Sequence, residues 1–230
     1  MPSSPLNVWR SERREKEREA RSAGRMPPGQ SLTEKFPVLT YESTRKWPVN
    51  DLSRFALDVF GDVENHQRLD FETLTREFEV VDLTFDIHCV TRWSKLGTTW
   101  RGVRIRDIVD RAKPKGNAKF LISHSTTGYT ANVPLENALS PNSLVTWQFD
   151  GKPLEPDHGG PVRGIVDPET LYFWKSAKFL SGFELSATDQ PGFWERLGYH
   201  NRGNIWQEER FRSDSGFDTR RDVIRSAESP

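Results

Sequence analysis

Cys89 is the only thiol in 230 residues, and two cations, Arg92 and Lys95, follow it closely. A thiolate is a nucleophile or a soft metal ligand, and nearby positive charge favours that ionised form. The competing reading is a small buried side chain that only packs. A second cluster lies downstream. Arg163 follows Gly159-Gly160-Pro161, and Lys175 and Lys178 flank Ser176-Ala177. Glycines allow close backbone approach, and N–H groups, hydroxyls and cations together suit a phosphate. Ordinary surface cations around loops are the alternative. Taken together, the thiol and the basic segment suit a soft metal carried by a phosphorylated cofactor. Other chemistries have less support. There is no Cys-x-x-Cys, and His66, His88, His124, His158 and His200 show no paired metal-ligand spacing. Neither a phosphate-binding P-loop nor a dinucleotide glycine fingerprint is present. A thiol hydrolase would need Cys89 to meet a distant histidine.

The elements that must position these groups can be read from periodicity. From Val81 to Cys89 apolar residues alternate with Asp82, Thr84, Asp86 and His88. That predicts a strand with Cys89 on its apolar face, His88 pointing the other way and a cationic loop beginning after Val90. Ile105, Ile108, Val109 and Ala112 form one helical stripe within Arg104–Ala112, closed by Pro114 and Gly116. Asp70 is a predicted N-cap for a helix over Phe71–Arg76. Strands are predicted at 54–61, 118–123, 143–149 and 162–166, with a hairpin turn at Asp150-Gly151. Pro134 to Leu139 suits a short helix, and residues 124–130 read as a polar turn. Many short strands and few helices, not strictly alternating, argue for an α+β fold with mixed β-sheets.

The bulk numbers narrow the class. Lysine plus arginine and aspartate plus glutamate both number 33, so the formal charge is zero and nucleic acid is not an expected partner. A single cysteine demands no oxidising compartment. No apolar run reaches membrane-spanning length and no export signal is read, so a cytoplasmic protein without a membrane span is expected. Residues 1–30 are a charged segment, expected as a solvated helix or flexible arm. Residues 31–211 carry the domain, and 212–230 read as a polar tail.

An ordered set of motifs resembles the sulfite-oxidase-type molybdopterin-binding oxidoreductases. They are Pro27-Pro28-Gly29-Gln30 with Phe36-Pro37-Val38-Leu39, His88-Cys89-Val90-Thr91-Arg92-Trp93-Ser94 and Trp100-Arg101-Gly102-Val103. Gly128-Tyr129-Thr130, His158-Gly159-Gly160-Pro161-Val162-Arg163 and Leu171-Tyr172-Phe173-Trp174-Lys175-Ser176-Ala177-Lys178 follow in order. The resemblance implies the family fold, an α+β molybdopterin-binding fold with mixed sheets and short helices. It implies a molybdenum–molybdopterin cofactor whose metal takes the Cys89 thiolate; tungsten accepts the same ligands. It places Tyr41, His124, His158, Arg163, Ser176, Ala177 and Lys178 against the cofactor. It also suggests Arg92, Trp93 and Tyr129 for the rim where a small-molecule substrate enters.

The sequence departs from true sulfite oxidases, whose Cys-Ala-Gly-Asn-Arg-Arg segment is here Cys89-Val90-Thr91-Arg92-Trp93. That leaves the substrate open between sulfite, a sulfoxide and another small molecule. No haem domain is read, so a separate electron-transfer partner is expected, with the chain a monomer or weak dimer. The expected reaction is two-electron oxygen-atom transfer. The alternatives are a non-catalytic cofactor-binding or scaffold module of the same fold and a thiol-dependent hydrolase.

Overall fold

The computed structural model describes residues 5–39 and 48–213, with side chains from residue 11 onward. Two mixed sheets face a shared core. The first contains β1 (Ser31–Leu32), β4 (Val80–His88), β5 (Trp93–Arg104), β8 (Leu144–Phe149), β9 (Lys152–Pro153) and β10 (Arg163–Ile165). Its spine is β5, which takes antiparallel β4 along one edge. The other edge receives parallel β1 at the Trp93 end and antiparallel β8 at the Arg104 end. The second sheet runs β3 (Gln67–Asp70), β2 (Ala56–Gly61), β11 (Leu180–Ser186), β6 (Phe120–Ser125) and β7 (Thr130–Pro134). In it β11 and β2 are parallel and the other pairs antiparallel.

The helices form where the apolar spacing requires them. α3 (Ile105–Ala112) turns Ile105, Ile108, Val109 and Ala112 inward, and all four are fully buried. Lys113 ends it in the left-handed region at φ 53°, one residue before Pro114. That stripe joins Leu57 and Val59 of β2, Val103 of β5, Val145 of β8 and Phe183 of β11 in the main core. Leucine- or isoleucine-sized side chains buried in this way contribute roughly 1.5–3 kcal/mol each. In α2 (Phe71–Glu77) the Asp70 carboxylate accepts the Thr73 N–H, as the cap predicts. Asp150 and Gly151, both at positive φ, turn β8 into β9 as the hairpin signal requires. α4 (Leu135–Ala138) begins after Pro134, which closes β7.

Two elements differ from the sequence reading. Trp93–Arg104 is a twelve-residue strand, so the loop after Cys89 stops at Arg92. Lys95 therefore belongs to β5, paired with Ile87, and its ammonium donates to the Glu34 carbonyl instead of lying in a cationic loop. The polar turn read over 124–130 is confined to 126–129, since His124 and Ser125 end β6 and Thr130 opens β7.

The charged N-terminal segment forms α1 (Pro5–Ser22), and several contacts tie it to the first sheet. Arg13 donates to the Leu32 carbonyl at 2.7 Å, and Arg25 forks onto both Asp86 oxygens at 2.8 and 2.6 Å. Ala20, Met26 and Leu32 bury together against Leu96. Asp86 and His88 lie on this side of β4. His88 does point away from the Cys89 face, yet it is buried and shares a 2.7 Å hydrogen bond with Ser94 Oγ. Burial pushes its pKa down to about 4, against the pull of Asp86.

Candidate active site

The connection from β4 to β5 is four residues, 89–92, and it presents the thiol. The Cys89 N–H donates to the Trp93 carbonyl (2.9 Å) and the Arg92 N–H to the Cys89 carbonyl (3.1 Å). Arg92 sits at φ 70°, a left-handed conformation that a side chain adopts only when the surroundings hold it there. The Cys89 side chain is 6% exposed among Val90, Tyr172, Trp174 and Ile205. Burial raises its pKa, while the Thr91 hydroxyl at 3.2 Å, the Val90 and Thr91 backbone N–H groups and the Arg210 charge favour the thiolate. Donors and a cation are therefore already arranged around a sulfur that burial keeps protonated. Coordination to a metal removes that proton.

Three buried polar atoms around this loop have no hydrogen-bond partner among the described residues. They are the Trp93 indole nitrogen, the Tyr172 hydroxyl and Arg210 Nε. The Arg210 guanidinium lies 4.8 Å from the Tyr172 ring centroid, and burial pushes the Tyr172 phenol up to about 12. Unpaired buried donors are costly and mark places that suit a polar guest.

The second cluster draws on three segments. Arg163, 1% exposed, donates to the carbonyls of His158 and Ser176, both at 2.9 Å, and lies 4.3 Å over the Phe173 ring. Lys178 donates to the carbonyls of Leu39 (2.9 Å) and Asp157 (2.6 Å). The Ser176 hydroxyl accepts from the Val166 N–H, and the Ala177 carbonyl accepts from the Gly164 N–H. Gly159, at φ 95°, packs directly on Lys178, where a Cβ would come within 2.7 Å of the lysine Cβ. Its N–H and that of Gly160 are taken by the Pro156 and Glu155 carbonyls. These glycines thus serve close chain packing, whereas the sequence suggested N–H groups open to a phosphate.

The residues present fit an anionic cofactor. Arg163 is a full charge in the interior, met by carbonyl dipoles and rings and by no carboxylate among the described residues. Burial pulls its pKa down to about 9. An uncompensated buried cation is strongly unfavourable, and a phosphate supplies the missing charge. Phe36 connects the two clusters. It stacks on the His158 imidazole (3.8 Å between centroids, 4° between planes) and meets Trp93 edge-on at 6.3 Å. His158 is held neutral, its pKa lowered to about 4 by burial and by the Arg163 and Lys178 charges.

The structure thus brings His158, Arg163, Ser176, Ala177 and Lys178 together, with Cys89 joined to them through Trp93 and Phe36. Arg92 lies at the surface beside Glu208, 3.8 Å away. Tyr129 is not at an open rim. It follows the tight turn into β7, is buried in the main core and donates its hydroxyl proton to the Trp174 carbonyl. His124 is on β6 of the second sheet, 3.0 Å from a Glu184 carboxylate oxygen. Tyr41 lies outside the described residues. Sequence reasoning missed Gln30, Arg210 and the unpartnered Tyr172 hydroxyl. Only the placement of Gln30 and Tyr172 within quoted motifs hinted at them.

Comparison with known proteins agrees with this geometry. Residues 44–194 match the family model described as the oxidoreductase molybdopterin binding domain. The uncharacterized oxidoreductase YuiH of Bacillus subtilis (strain 168) is 42% identical over 199 residues, covering 86% of this chain and 98% of YuiH. The crystal structure of the sulfane dehydrogenase SoxCD from Paracoccus pantotrophus shares the fold, with a TM-score of 0.56 at 16% identity. The match covers 64% of this chain but 41% of the SoxCD chain. Among the described residues no helix is long and apolar enough to cross a membrane. A family model spanning most of the domain and a relative matched nearly end to end place the chain in the sulfite-oxidase-type molybdopterin-binding oxidoreductase family.

Proposed function

We propose that this oxidoreductase performs two-electron oxygen-atom transfer on a small molecule, of which a sulfoxide is one example, at a mononuclear molybdenum or tungsten centre. The metal and its pterin supply the redox chemistry when bound. The observation that carries the reading is the pairing of a buried strand-end thiol with a buried cation, Arg163, that meets no carboxylate among the described residues. Cys89 is the protein ligand, and Thr91 and Arg210 steady its sulfur as a thiolate. Arg163 and Lys178 neutralise the cofactor phosphate, with His158 and the Ser176–Lys178 backbone shaping the space around it. Tyr172, Trp174 and Trp93 keep water from the thiolate. Arg92, half-buried on the same loop, orients a polar oxygen of the substrate. Electrons pass to or from a separate protein.

The test is metal and pterin analysis of protein made in a host that synthesises the cofactor, alongside Cys89→Ser. Near-stoichiometric molybdenum or tungsten with a phosphorylated pterin is expected, with the metal signature lost or altered in the variant. Folded wild-type protein without metal and pterin would overturn the reading and leave a scaffold of the same fold.

A further inference from the structure

The loop that presents Cys89 is gripped from outside by two side chains, Gln30 and Arg210, that lie beyond the residues matched by the family model. Gln30, 1% exposed, lies beneath it. Its carboxamide Nε2 donates to the Cys89 and Trp93 carbonyls, each at 3.1 Å. Its Oε1 accepts from Arg210 at 3.2 Å. Arg210, 2% exposed, donates in turn to the Val90 carbonyl at 2.6 Å and approaches the Pro28 carbonyl at 3.3 Å. Three of the carbonyls in the Cys89–Trp93 segment are thus held by one amide and one guanidinium. Tyr172 supports the far face of that guanidinium, itself stacked on Trp174 at 5.2 Å. Gly29 leaves room for the arrangement, since a Cβ there would lie 2.8 Å from Arg92 and 3.1 Å from Arg210.

We infer that Gln30 and Arg210 form a clamp that fixes the direction of the Cys89 Cα–Cβ bond, making them positioning residues for the metal–sulfur bond. This rests on Cys89 being the metal ligand. A thiolate ligand transmits its torsion to the metal's electronic structure, and the clamp adds to the loop's own backbone hydrogen bonds a restraint from side chains outside the loop. Only a side chain with both a donor and an acceptor at Gln30 can serve the loop carbonyls and the Arg210 N–H together. Glutamate keeps the size and the attraction to Arg210 but turns an oxygen toward the Cys89 and Trp93 carbonyls. Outer contacts of this kind typically change metal affinity or activity by about 10–100-fold.

The experiment compares cofactor-loaded wild type, Gln30→Glu, Arg210→Lys and Arg21→Ala. Arg21 donates to the Gln30 backbone carbonyl, so its removal loosens the backbone of the segment while leaving both clamp side chains and their own hydrogen bonds in place. The readouts are metal content, thermal midpoint, the thiolate-to-metal charge-transfer band and the electron paramagnetic resonance spectrum of the one-electron-reduced metal. Gln30→Glu and Arg210→Lys are expected to shift the band and the spectrum, and Arg21→Ala to leave both as in wild type. Metal loss from a folded Gln30→Glu protein carries the same meaning, because the thiolate is no longer presented. Spectra superimposable on wild type at full metal content in both clamp variants overturn the inference, as does an equal shift in Arg21→Ala. A Cys89→Ser protein with an unchanged spectrum would instead overturn the ligand assignment beneath it.

Discussion

Lys175 stands one residue before Ser176–Lys178, the segment proposed to shape the phosphate end of the site, and its replacement by methionine gives a demanding test of how that segment is held. The lysine is fully buried, with its Nζ 2.5 Å from Glu195 Oε1. It also donates to the carbonyls of Asn132 (2.9 Å) and Asn201 (2.7 Å). Burial pushes its pKa down, opposed by Glu195 and Asp189. Glu195 Oε1 additionally accepts the Trp174 indole N–H at 2.8 Å, while Oε2 has no partner among the described residues. Lys175→Met leaves a buried carboxylate with one neutral donor and takes a donor from two carbonyls. Breaking a buried pair from one side costs about 3–5 kcal/mol. That is a large share of the roughly 5–15 kcal/mol that holds a domain together. Adding Glu195→Gln removes the stranded charge, and the double variant should return to within about 2 kcal/mol of wild type. Urea unfolding of the cofactor-free proteins near neutral pH measures this, with unchanged m-values confirming a common unfolded state. A single variant that costs under about 1 kcal/mol, or a double variant that costs the sum of the singles, refutes the reasoning.

Further tests address charge, pH and packing. Arg163→Lys cannot reach the His158 and Ser176 carbonyls together, so bound cofactor should fall by about tenfold, the loss of one charge-assisted hydrogen bond; phosphorus and metal analysis reads it. His88 and His158 have folded pKa values lowered to about 4, so the unfolded chain binds more protons between that value and 6.5. Stability is therefore full above the unfolded value and is lost as pH falls toward 4. His88 alone should account for about 2 kcal/mol between about pH 7.5 and about pH 5. The His158 share is smaller because solvent screens it. Urea midpoints at the two pH values should converge in His88→Gln, and an undiminished gap would contradict its buried neutral state. Ile108→Ala empties a fully buried position on α3 and should cost about 2–5 kcal/mol, measured by the same unfolding assay.

Local patterns in the sequence revealed the pieces whose causes are local. The α3 stripe, the Asp70 cap, the Asp150-Gly151 turn and the alternation of β4 all depend on residues within one turn or one pleat. β5 escaped because the buried face of its alternation includes Ser94 and Thr98 as well as Trp100, so no run of apolar residues marks it. Lys175 and Lys178 look alike in sequence, yet one points into a sealed ion pair and the other to the Leu39 and Asp157 carbonyls. The turn between them decides this, and no spacing rule records it. Tyr129 is assigned to the rim only through the resemblance carried by Gly128-Tyr129-Thr130, and its ring turns into the core just before β7 begins. Gln30 and Arg210 carry no periodic signal at all, because what they hold lies 59 and 120 residues away along the chain.

Those separations have a consequence for the order of events as the chain is made. A nascent chain emerges from its N-terminus at about 5–20 residues per second, so Cys89 is outside the ribosome well before residue 210 is. Until Arg210 arrives, the Val90 carbonyl has no guanidinium beside it, and long-range closures of this kind are slow compared with hairpins and helices. The thiol therefore spends the interval of synthesis in an ungripped loop, reachable by oxidants and stray soft metals. The seat proposed for the metal therefore reaches its final geometry only after residue 210 has been made.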